Sequence, residues 1–371
     1  MNKLKHIAKS GIYLLKYFQI YVRGLLLHSD ERSVFISVSG GGAGSAADLR
    51  GISLAKELPK FGWRAVLLPA NFSKWQRRSL WRVYRPCVVV LQQTRNIHNT
   101  PHLYPGTPCI LDADDADILD EGNRKRIGRI AAECRSVIAG SRFLAGLFKK
   151  YNPDVAVIWT GTYLTEVPEA KSNHLRSTIV SWAPSDPFGY PEEREFVTQV
   201  ARALGSITPF TLRIYGIKKE EFSNAHQMFA EQLPASVRLE LRPPMLYANF
   251  VKSLTEVAIG LQPICESNAY SMGKSFGKVL GYLAADVAVI ASDNIDHPLF
   301  FQSGQNGILL PNTAEQWANA CAQLIQSPDQ RSKLVQNARQ SFLSRLTTRK
   351  SAELLDKILN RAVIEATVPT T

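Results

Sequence analysis

The stretch Ser33-Val34-Phe35-Ile36-Ser37-Val38-Ser39-Gly40-Gly41-Gly42-Ala43-Gly44-Ser45-Ala46-Ala47-Asp48-Leu49 decides how this chain is read. Val34 to Val38 is a short β-branched run of the kind that forms a buried strand. Four glycines within five positions follow, then a segment with apolar Leu49, Ile52 and Leu54 at helical spacing. Strand, glycine-rich loop and helix in that order let backbone N–H groups approach an anion closely, while the helix N-terminus adds a favourable dipole. A phosphate is the natural occupant, and a tight turn without a ligand is the plainer alternative. Gly42-x-Gly44-x-x-Ala47 also fits the loose dinucleotide fingerprint. The next strand ends in Pro69-Ala70-Asn71, however, with no acid for a ribose 2′-hydroxyl, which disfavours an NAD-dependent oxidoreductase.

The same alternation of strand and amphipathic helix continues down the chain. Val34 to Val38, Arg64 to Leu68, Cys87 to Leu91, Cys109 to Asp112, Val137 to Ala139 and Val155 to Trp159 form a first series. Thr178 to Trp182, Thr211 to Tyr215, Val237 to Leu241, Val257 to Leu261, Val287 to Ser292 and Gly307 to Leu310 form a second. Between them Thr165 to Ser177 is polar, contains Pro168, lacks apolar periodicity and reads as a linker. At 371 residues the chain is long enough for two α/β domains. They are expected at residues 31–168 and 175–345, each a doubly wound, mostly parallel sheet. Ligands of such sheets bind at the carboxyl ends of the strands, so the loops after the strands, facing a cleft, are where chemistry is expected.

Residues 1–30 form a different kind of segment. Lys9, Lys16 and Arg23 recur every seven positions, near one side of a helix that drifts only about 20° per heptad. Ile12, Leu14, Leu15, Tyr17, Phe18, Ile20, Tyr21, Val22, Leu25, Leu26 and Leu27 cover the rest. That face suits a helix lying in a lipid interface, with docking on its own domain as the alternative. Lys16 and Arg23 interrupt the apolar run and argue against a spanning helix, and no small-residue cleavage site marks a signal peptide. A second basic and aromatic run, Lys74 to Arg85, could face the same surface.

The formal charge of +12 attracts anionic partners: phosphates, acidic headgroups or nucleic acid. No recognised nucleic-acid module accompanies it. The five cysteines are scattered without metal-like pairing, which reads as thiols in a reducing compartment rather than a zinc site or disulfide framework.

Four loops carry candidate chemistry. Leu111-Asp112-Ala113-Asp114-Asp115-Ala116-Asp117 follows a strand; Asp114 or Asp115 is the candidate acceptor contact and Asp117 a helix cap, with metal binding disfavoured for want of further ligands. His98 and His102 follow the third strand, and either could accept a proton from an acceptor hydroxyl. In Pro263 to Leu283, Lys274, Ser275 and the first-turn N–H groups of a helix beginning near Ser275 converge where a diphosphate would fit. Lys278 lies one turn on, and two cations at that spacing repel unless an anion or solvent separates them.

These residues resemble the GT-B glycosyltransferases that include the glycosyltransferase 4 family. The resemblance spans nearly the whole body. Gly40 to Gly44 followed by Asp48-Leu49-Arg50 resembles the family's glycine loop and arginine-bearing first helix. Ala139-Gly140-Ser141-Arg142-Phe143-Leu144 resembles the start of its helix before the domain crossover. Lys274-Ser275-x-x-Lys278-x-x-x-Tyr282, Val289-Ile290-Ala291-Ser292 and Gly304-x-Asn306-Gly307-Ile308-Leu309 resemble its donor-side signature.

The resemblance implies a GT-B fold of two Rossmann-like domains. It further implies a nucleoside diphosphate sugar held by the second domain, an acceptor held by the first, and a helix within residues 346–371 returning to the first. Catalytic contacts are then expected from His98, Asp114, Lys274 and Lys278. Binding contacts are expected from Gly40, Gly41, Gly42, Arg50, Asp115, Ser141, Glu266, Ser275 and Tyr282. The expected reaction needs no cofactor and no metal, is retaining, and passes a sugar to a lipid-linked or polysaccharide acceptor at the cytoplasmic face of a membrane.

Two departures stand out. Gly273 and Gly281 occupy the positions of the family's two glutamates, and Val180-Ser181-Trp182-Ala183-Pro184-Ser185 lacks its arginine and lysine pair. Both favour the competing expectation, a non-catalytic GT-B-like assembly partner with a decayed donor site.

Overall fold

The structure, a computed structural model, describes residues 2–26, 32–40, 45–93, 95–167, 172–274 and 276–367. It divides into two compact units, Met1–Trp159 with Thr348–Thr371, and Thr160–Thr347.

The first unit contains α1 (Asn2–Leu26), β1 (Ser33–Ser37), a π-helical turn at Ala47–Ile52 running into α2 (Ser53–Glu57), β2 (Arg64–Leu68), α3 (Lys74–Tyr84) and β3 (Val88–Gln92). It continues with β4 (Cys109–Ala113), α4 (Glu121–Glu133), β5 (Ser136–Ala139), α5 (Arg142–Phe148) and β6 (Val155–Val157). The second unit holds β7 (Ile179–Trp182), α6 (Pro191–Ile207), β8 (Phe210–Tyr215), α7 (Phe222–Ala230), β9 (Val237–Arg242), α8 (Tyr247–Ser253) and β10 (Ile259–Gln262). Then come α9 (Ala269–Met272), α10 (Gly277–Ala284), β11 (Ala288–Ser292), α11 (His297–Phe300), β12 (Ile308–Leu310), α12 (Ala314–Gln326) and α13 (Pro328–Arg345). The last helix, α14 (Thr348–Thr367), belongs to the first unit.

All twelve strands read from the β-branched runs are present, in two six-stranded parallel sheets ordered β2-β1-β3-β4-β5-β6 and β12-β11-β10-β7-β8-β9. Each order reverses once, between β1 and β3 and between β7 and β10. A crevice at such a switch point is where open α/β sheets bind ligands.

Strand periodicity sorts side chains to the two faces of each sheet. In β1, Val34 and Ile36 pack with Leu54 and Leu58 and with Ala352, Leu355 and Leu359 of α14. Phe35 between them meets Tyr84 and Tyr104 on the opposite face, ring centroids 5.6 and 6.4 Å away. In the second unit one face joins Trp182, Ile214 and Leu261 to Phe196 of α6 and Trp317 of α12. Those last two rings meet edge to face at 5.1 Å. On the other face Tyr282 covers Gly260, where a Cβ would lie 2.7 Å from the ring. The edge strand β9 carries Arg238, Glu240 and Arg242, charges that discourage pairing with a further strand.

α14 is pinned by polar bonds as well as by its apolar stripe. Trp63 donates Nε1–H to Asp356 at 2.7 Å, Ser351 donates to the Trp159 carbonyl at 3.1 Å, and Arg361 pairs with Asp154 at 2.7 Å.

The segment read as a linker is built into the second unit at its end. Asn173 donates to the carbonyls of Ala258 and Asp286, Arg176 to those of Val257 and Ala285, and Arg331 to Asn173 itself. Buried polar clamps of this kind leave no apolar period in the sequence.

α1 divides into three sectors, so each of its two sequence readings holds for part of the helix. Tyr17 and Gly24 are buried and Tyr13, Ile20 and Tyr21 half-buried, forming a stripe against α3. Leu14, Leu15, Phe18, Val22, Leu25 and Leu26 stay exposed beside it. Lys16, Gln19 and Arg23 form the third sector. No helix among the described residues is long and apolar enough to cross a membrane.

Candidate functional site

In the second unit the loops after β7 and β10 flank the switch point. Gly216, just beyond β8, has φ +88°, and a Cβ there would come within 2.6 Å of the Pro184 carbonyl oxygen. Only glycine lets the loops after β7 and β8 pack so closely. The loop after β10 is tied to its neighbours. Ile264 donates its N–H to Ser292 Oγ at 2.8 Å, Ser292 donates to Asn312 at 2.6 Å, and Asn312 and Asn294 donate to the Ile264 carbonyl at 2.8 and 3.0 Å. Cys265 N–H donates to buried Glu193 at 3.1 Å. Burial, then the nearby Glu193 and Glu192, push the Cys265 thiol up to about 12, so it is no nucleophile.

An open cleft of about 430 Å³ lies at the carboxyl ends of β10, β11 and β12, with Glu266, Asp293, Asn294 and Asn312 on its wall. One amide N–H each of Asn294 and Asn312 is spent on the Ile264 carbonyl, while Glu266 and Asp293 bring carboxylates. The wall therefore offers chiefly acceptors, which suits hydroxyl groups and repels phosphate.

Asn268 caps α9 by accepting from Tyr270 and Ser271 at 3.1 and 3.2 Å, and α9 delivers the chain to Lys274. The Lys274 ammonium lies 4.5 Å from the Tyr270 ring centroid and 5.9 Å from that of Tyr190, just before α6. Two aromatic faces hold a cation partly stripped of water, about 0.5–2 kcal/mol of attraction depending on that desolvation. α10 begins three residues later. Ser275 and the Lys278 side chain lie outside the described residues.

Tyr282 does not reach this site. It is fully buried in α10, donates to the Ser181 carbonyl at 3.0 Å, and covers Gly260. Its expected substrate contact is corrected to a core contact. Gly281 explains one departure from the family pattern, because a Cβ there would meet Phe250 at 2.6 Å and Leu254 at 3.2 Å. A glutamate has no room at that position.

In the first unit Gly40, at φ +97°, carries the chain out of β1, where a Cβ would touch that of Ala70 at 3.3 Å. Gly41 and Gly42 lie outside the described residues. Beneath Gly40 is a network that the sequence reading did not isolate. Arg77 of α3, fully buried, donates to the carbonyls of Phe72 and Pro69 at 2.9 Å each and to Ser37. Ser37 donates to Asn99 at 2.6 Å, and Asn99 donates to the Ser37 carbonyl at 3.0 Å and that of Gln93 at 3.1 Å. The loops after β1, β2 and β3 are thereby fixed to one another. Arg77 lies three positions before Leu80 and seven before Tyr84, which is the signal that it faces inward.

His98 stands on the loop after β3, its N–H held by Asn96 at 2.9 Å and its Nδ1 buried with no partner among the described residues. Burial, then Arg77 and Lys74, lower its pKa, so the imidazole is neutral near pH 7 and able to accept a proton. His102 points elsewhere, exposed and 3.4 Å from Glu133.

Asp112 at the end of β4 and the three aspartates that follow it are divided between two arginines. Arg50 binds Asp112, donates to the Ile158 carbonyl at 2.7 Å and lies 3.7 Å from Asp114. Burial opposes its charge, and Asp112 and Asp114 more than offset that, so it stays cationic. Its guanidinium is engaged inside the unit, which makes it a positioning residue rather than the substrate contact the family resemblance implies. Asp114 lies flat on Gly140, where a Cβ would fall 2.3 Å from its carboxylate. Arg95 pairs with Asp115 at 2.6 Å and Asp117 at 2.8 Å. Asp117 is no helix cap; Asp120 caps α4 by accepting from Gly122. Ser141 caps α5 by accepting from Leu144 at 3.3 Å and is fully buried, so it too is a structural contact and not a surface for substrate.

Two Rossmann-like parallel sheets, each with polar loops gathered at its switch point, are the fold of the GT-B glycosyltransferases. Residues 193–357 match the family model described as "Glycosyl transferase-like". Among solved structures, the glycosyltransferase from Rickettsia africae ESF-5 aligns at 14% identity over 90% of this chain and 99% of its own, TM-score 0.66. Anabaena HepE in complex with UDP and glucose aligns at 14% identity over 89% of this chain and 100% of its own, TM-score 0.65. Sucrose-phosphate synthase from Thermosynechococcus elongatus aligns at 14% identity over 91% and 100%, TM-score 0.67. No curated protein matches the chain in sequence. The GT-B fold read from the ordered motifs therefore stands.

Proposed function

We propose that this chain is a glycosyltransferase that moves a sugar from a nucleoside diphosphate sugar to a lipid-linked or polysaccharide acceptor. The observation that carries the reading is Lys274, held between Tyr190 and Tyr270 at the end of the loop leading into α10. With Ser275, Lys278 and the first N–H groups of α10 it would neutralise the diphosphate as it leaves, where charge develops in the transition state. Glu266 and the acceptor-rich cleft beside it suit sugar hydroxyls. The match of residues 193–357 to a glycosyl transferase-like family and the likeness to HepE, whose structure holds UDP and glucose, support a sugar nucleotide as donor.

The first unit supplies the acceptor side. His98, neutral, accepts the proton of the acceptor hydroxyl, and Asp114, fixed by Arg50 and Gly140, orients that hydroxyl. Asp115 and the Gly40–Gly42 loop complete the contacts. The acids after β4 are already paired with guanidinium groups, which favours a reaction without a resident metal; retention at the anomeric carbon follows from the resemblance. α1 brings the enzyme to an anionic membrane surface, and five free thiols suit its cytoplasmic face.

One observation favours the alternative, a non-catalytic GT-B-like partner: Phe250 occupies the space beside Gly281 where the family carries a glutamate. Radiolabelled UDP- and GDP-sugars offered with lipid-linked and polysaccharide acceptors separate the two. Transfer by the wild type that Lys274→Ala loses supports the enzyme; a folded chain that transfers from no donor supports the partner.

A further inference from the structure

The exposed apolar arc of α1 is not accounted for by the fold. α1 is fastened to its unit: Tyr17 OH bonds Ser79 Oγ at 2.8 Å, Tyr84 OH donates to the Ile20 carbonyl at 2.7 Å, and Gly24 lies under Tyr84 and Val83, where a Cβ would be within 2.4–2.9 Å. Yet Leu15, Leu25 and Leu26 are 61, 62 and 75% exposed, and Trp75 at the start of α3, 5.5 Å from the Tyr17 ring, is 67% exposed. A contiguous apolar surface of this kind marks an interaction site.

Charge selects its occupant. Residues 1–29 contain Lys3, Lys5, Lys9, Lys16 and Arg23 and no acid, and Lys74 to Arg85 also contains none. Lys16 and Arg23 border the arc on α1, and Lys74, Arg78, Arg82 and Arg85 are exposed along α3. A second copy of this surface would be repelled by the same charges, whereas anionic headgroups above an apolar interior match both features.

We propose that the first unit lies on an anionic bilayer through one composite surface, the outward arc of α1 together with Trp75 of α3, as a fixed face and not a loose tether. The surface is coupled to the candidate acceptor loops. The Tyr17 ring meets that of buried Phe72 at 6.0 Å, Arg77 grips the Phe72 and Pro69 carbonyls, and Ala70 lies where a Cβ added to Gly40 would meet it at 3.3 Å. Docking therefore holds the headgroup region at the rim of these loops, which favours a lipid-linked acceptor over a soluble polysaccharide. This deepens the membrane part of the proposed function and rests on it, but is independent of the donor site.

The test uses the full chain with vesicles of phosphatidylcholine, with and without phosphatidylglycerol, and with acyl chains brominated as quenchers of tryptophan fluorescence. Phosphatidylglycerol vesicles are expected to bind the chain and brominated chains to quench it, with most quenching lost in Trp75→Phe. Phe18→Asp combined with Val22→Asp, both at exposed positions, is expected to weaken vesicle binding by about tenfold or more at unchanged thermal stability. Sugar-nucleotide binding by the same variant is expected to persist, so failure here leaves the donor reading standing. Absence of vesicle binding by folded chain, binding that survives the double substitution, quenching undiminished in Trp75→Phe, or lipid-free dimerisation abolished by the double substitution would each overturn the proposal.

Discussion

The two units share a topology and differ in what they do with charge. In the first, the polar residues at the switch point are bound to one another: Arg50 to Asp112, Arg77 to Ser37 and the loop carbonyls, Arg95 to Asp115 and Asp117. In the second, the loop after β10 is anchored by two amides, a hydroxyl and the Glu193 carboxylate, and Lys274 further along is cradled by aromatic rings. A site whose charges are mutually satisfied is stiff and nearly neutral. Aromatic rings beside a cation add attraction without cancelling its charge. The same sheet topology thus carries different loop chemistry in the two units.

The difference can be broken most forcefully at Arg50. Arg50→Ala strands Asp112, 3% exposed, and is expected to cost the first unit about 3–5 kcal/mol. Hydrogen exchange resolved by strand checks this, since β1, β3 and β4 should lose protection while β7, β8 and β10 keep theirs.

Acid should act on the second unit instead. His297 is fully buried, bonded at Nδ1 to the Ser292 carbonyl, and desolvation lowers its pKa to about 4. Because the unfolded imidazole binds a proton near pH 6.5 and the folded one does not, the stability it confers is complete above pH 6.5. That stability is lost as pH falls toward 4, by up to about 3 kcal/mol. Denaturant midpoints of the second unit across that window should slope upward with pH in the wild type and flatten in His297→Gln.

Tyr282→Phe removes the bond its hydroxyl donates to the Ser181 carbonyl and the longer one it accepts from Ser181 Oγ, and should cost about 1–2 kcal/mol of stability. Nucleotide affinity should not change; a fall in affinity at unchanged stability would return Tyr282 to the binding site. Smallest of all, Arg95→Ala breaks the half-exposed pairs with Asp115 and Asp117 and should shift stability by at most about 1 kcal/mol, measured by thermal unfolding.

The sheets were legible because their strands are buried on both faces, so that Val34 to Val38 or Val287 to Ser292 appear as unbroken apolar runs. Loop placement followed from strand order alone. Side-chain roles were less legible, since they depend on neighbours remote in sequence. Ser141 and Tyr282 match family motifs yet serve as a cap and a core residue, because helix starts and helix packing reuse the same residue types. Arg50 looks like a substrate contact until Asp112, 62 positions away, is seen to hold it. Arg77 was concealed in a basic run whose other members face solvent, although its spacing to Leu80 pointed inward. α1 was legible as amphipathic, but its division into a docked stripe and an exposed arc needed the positions of Ser79 and Tyr84.

The proposed donor site requires the second unit to hold a nucleoside diphosphate through Lys274 and Lys278. Calorimetric titration with UDP, GDP and their sugars, on the wild type and on Lys274→Ala with Lys278→Ala, tests it directly. Binding of one nucleotide by the wild type, lost in the double variant while the second unit stays folded, is the expected result. Binding of none by folded wild type, or equal binding by both proteins, would contradict it.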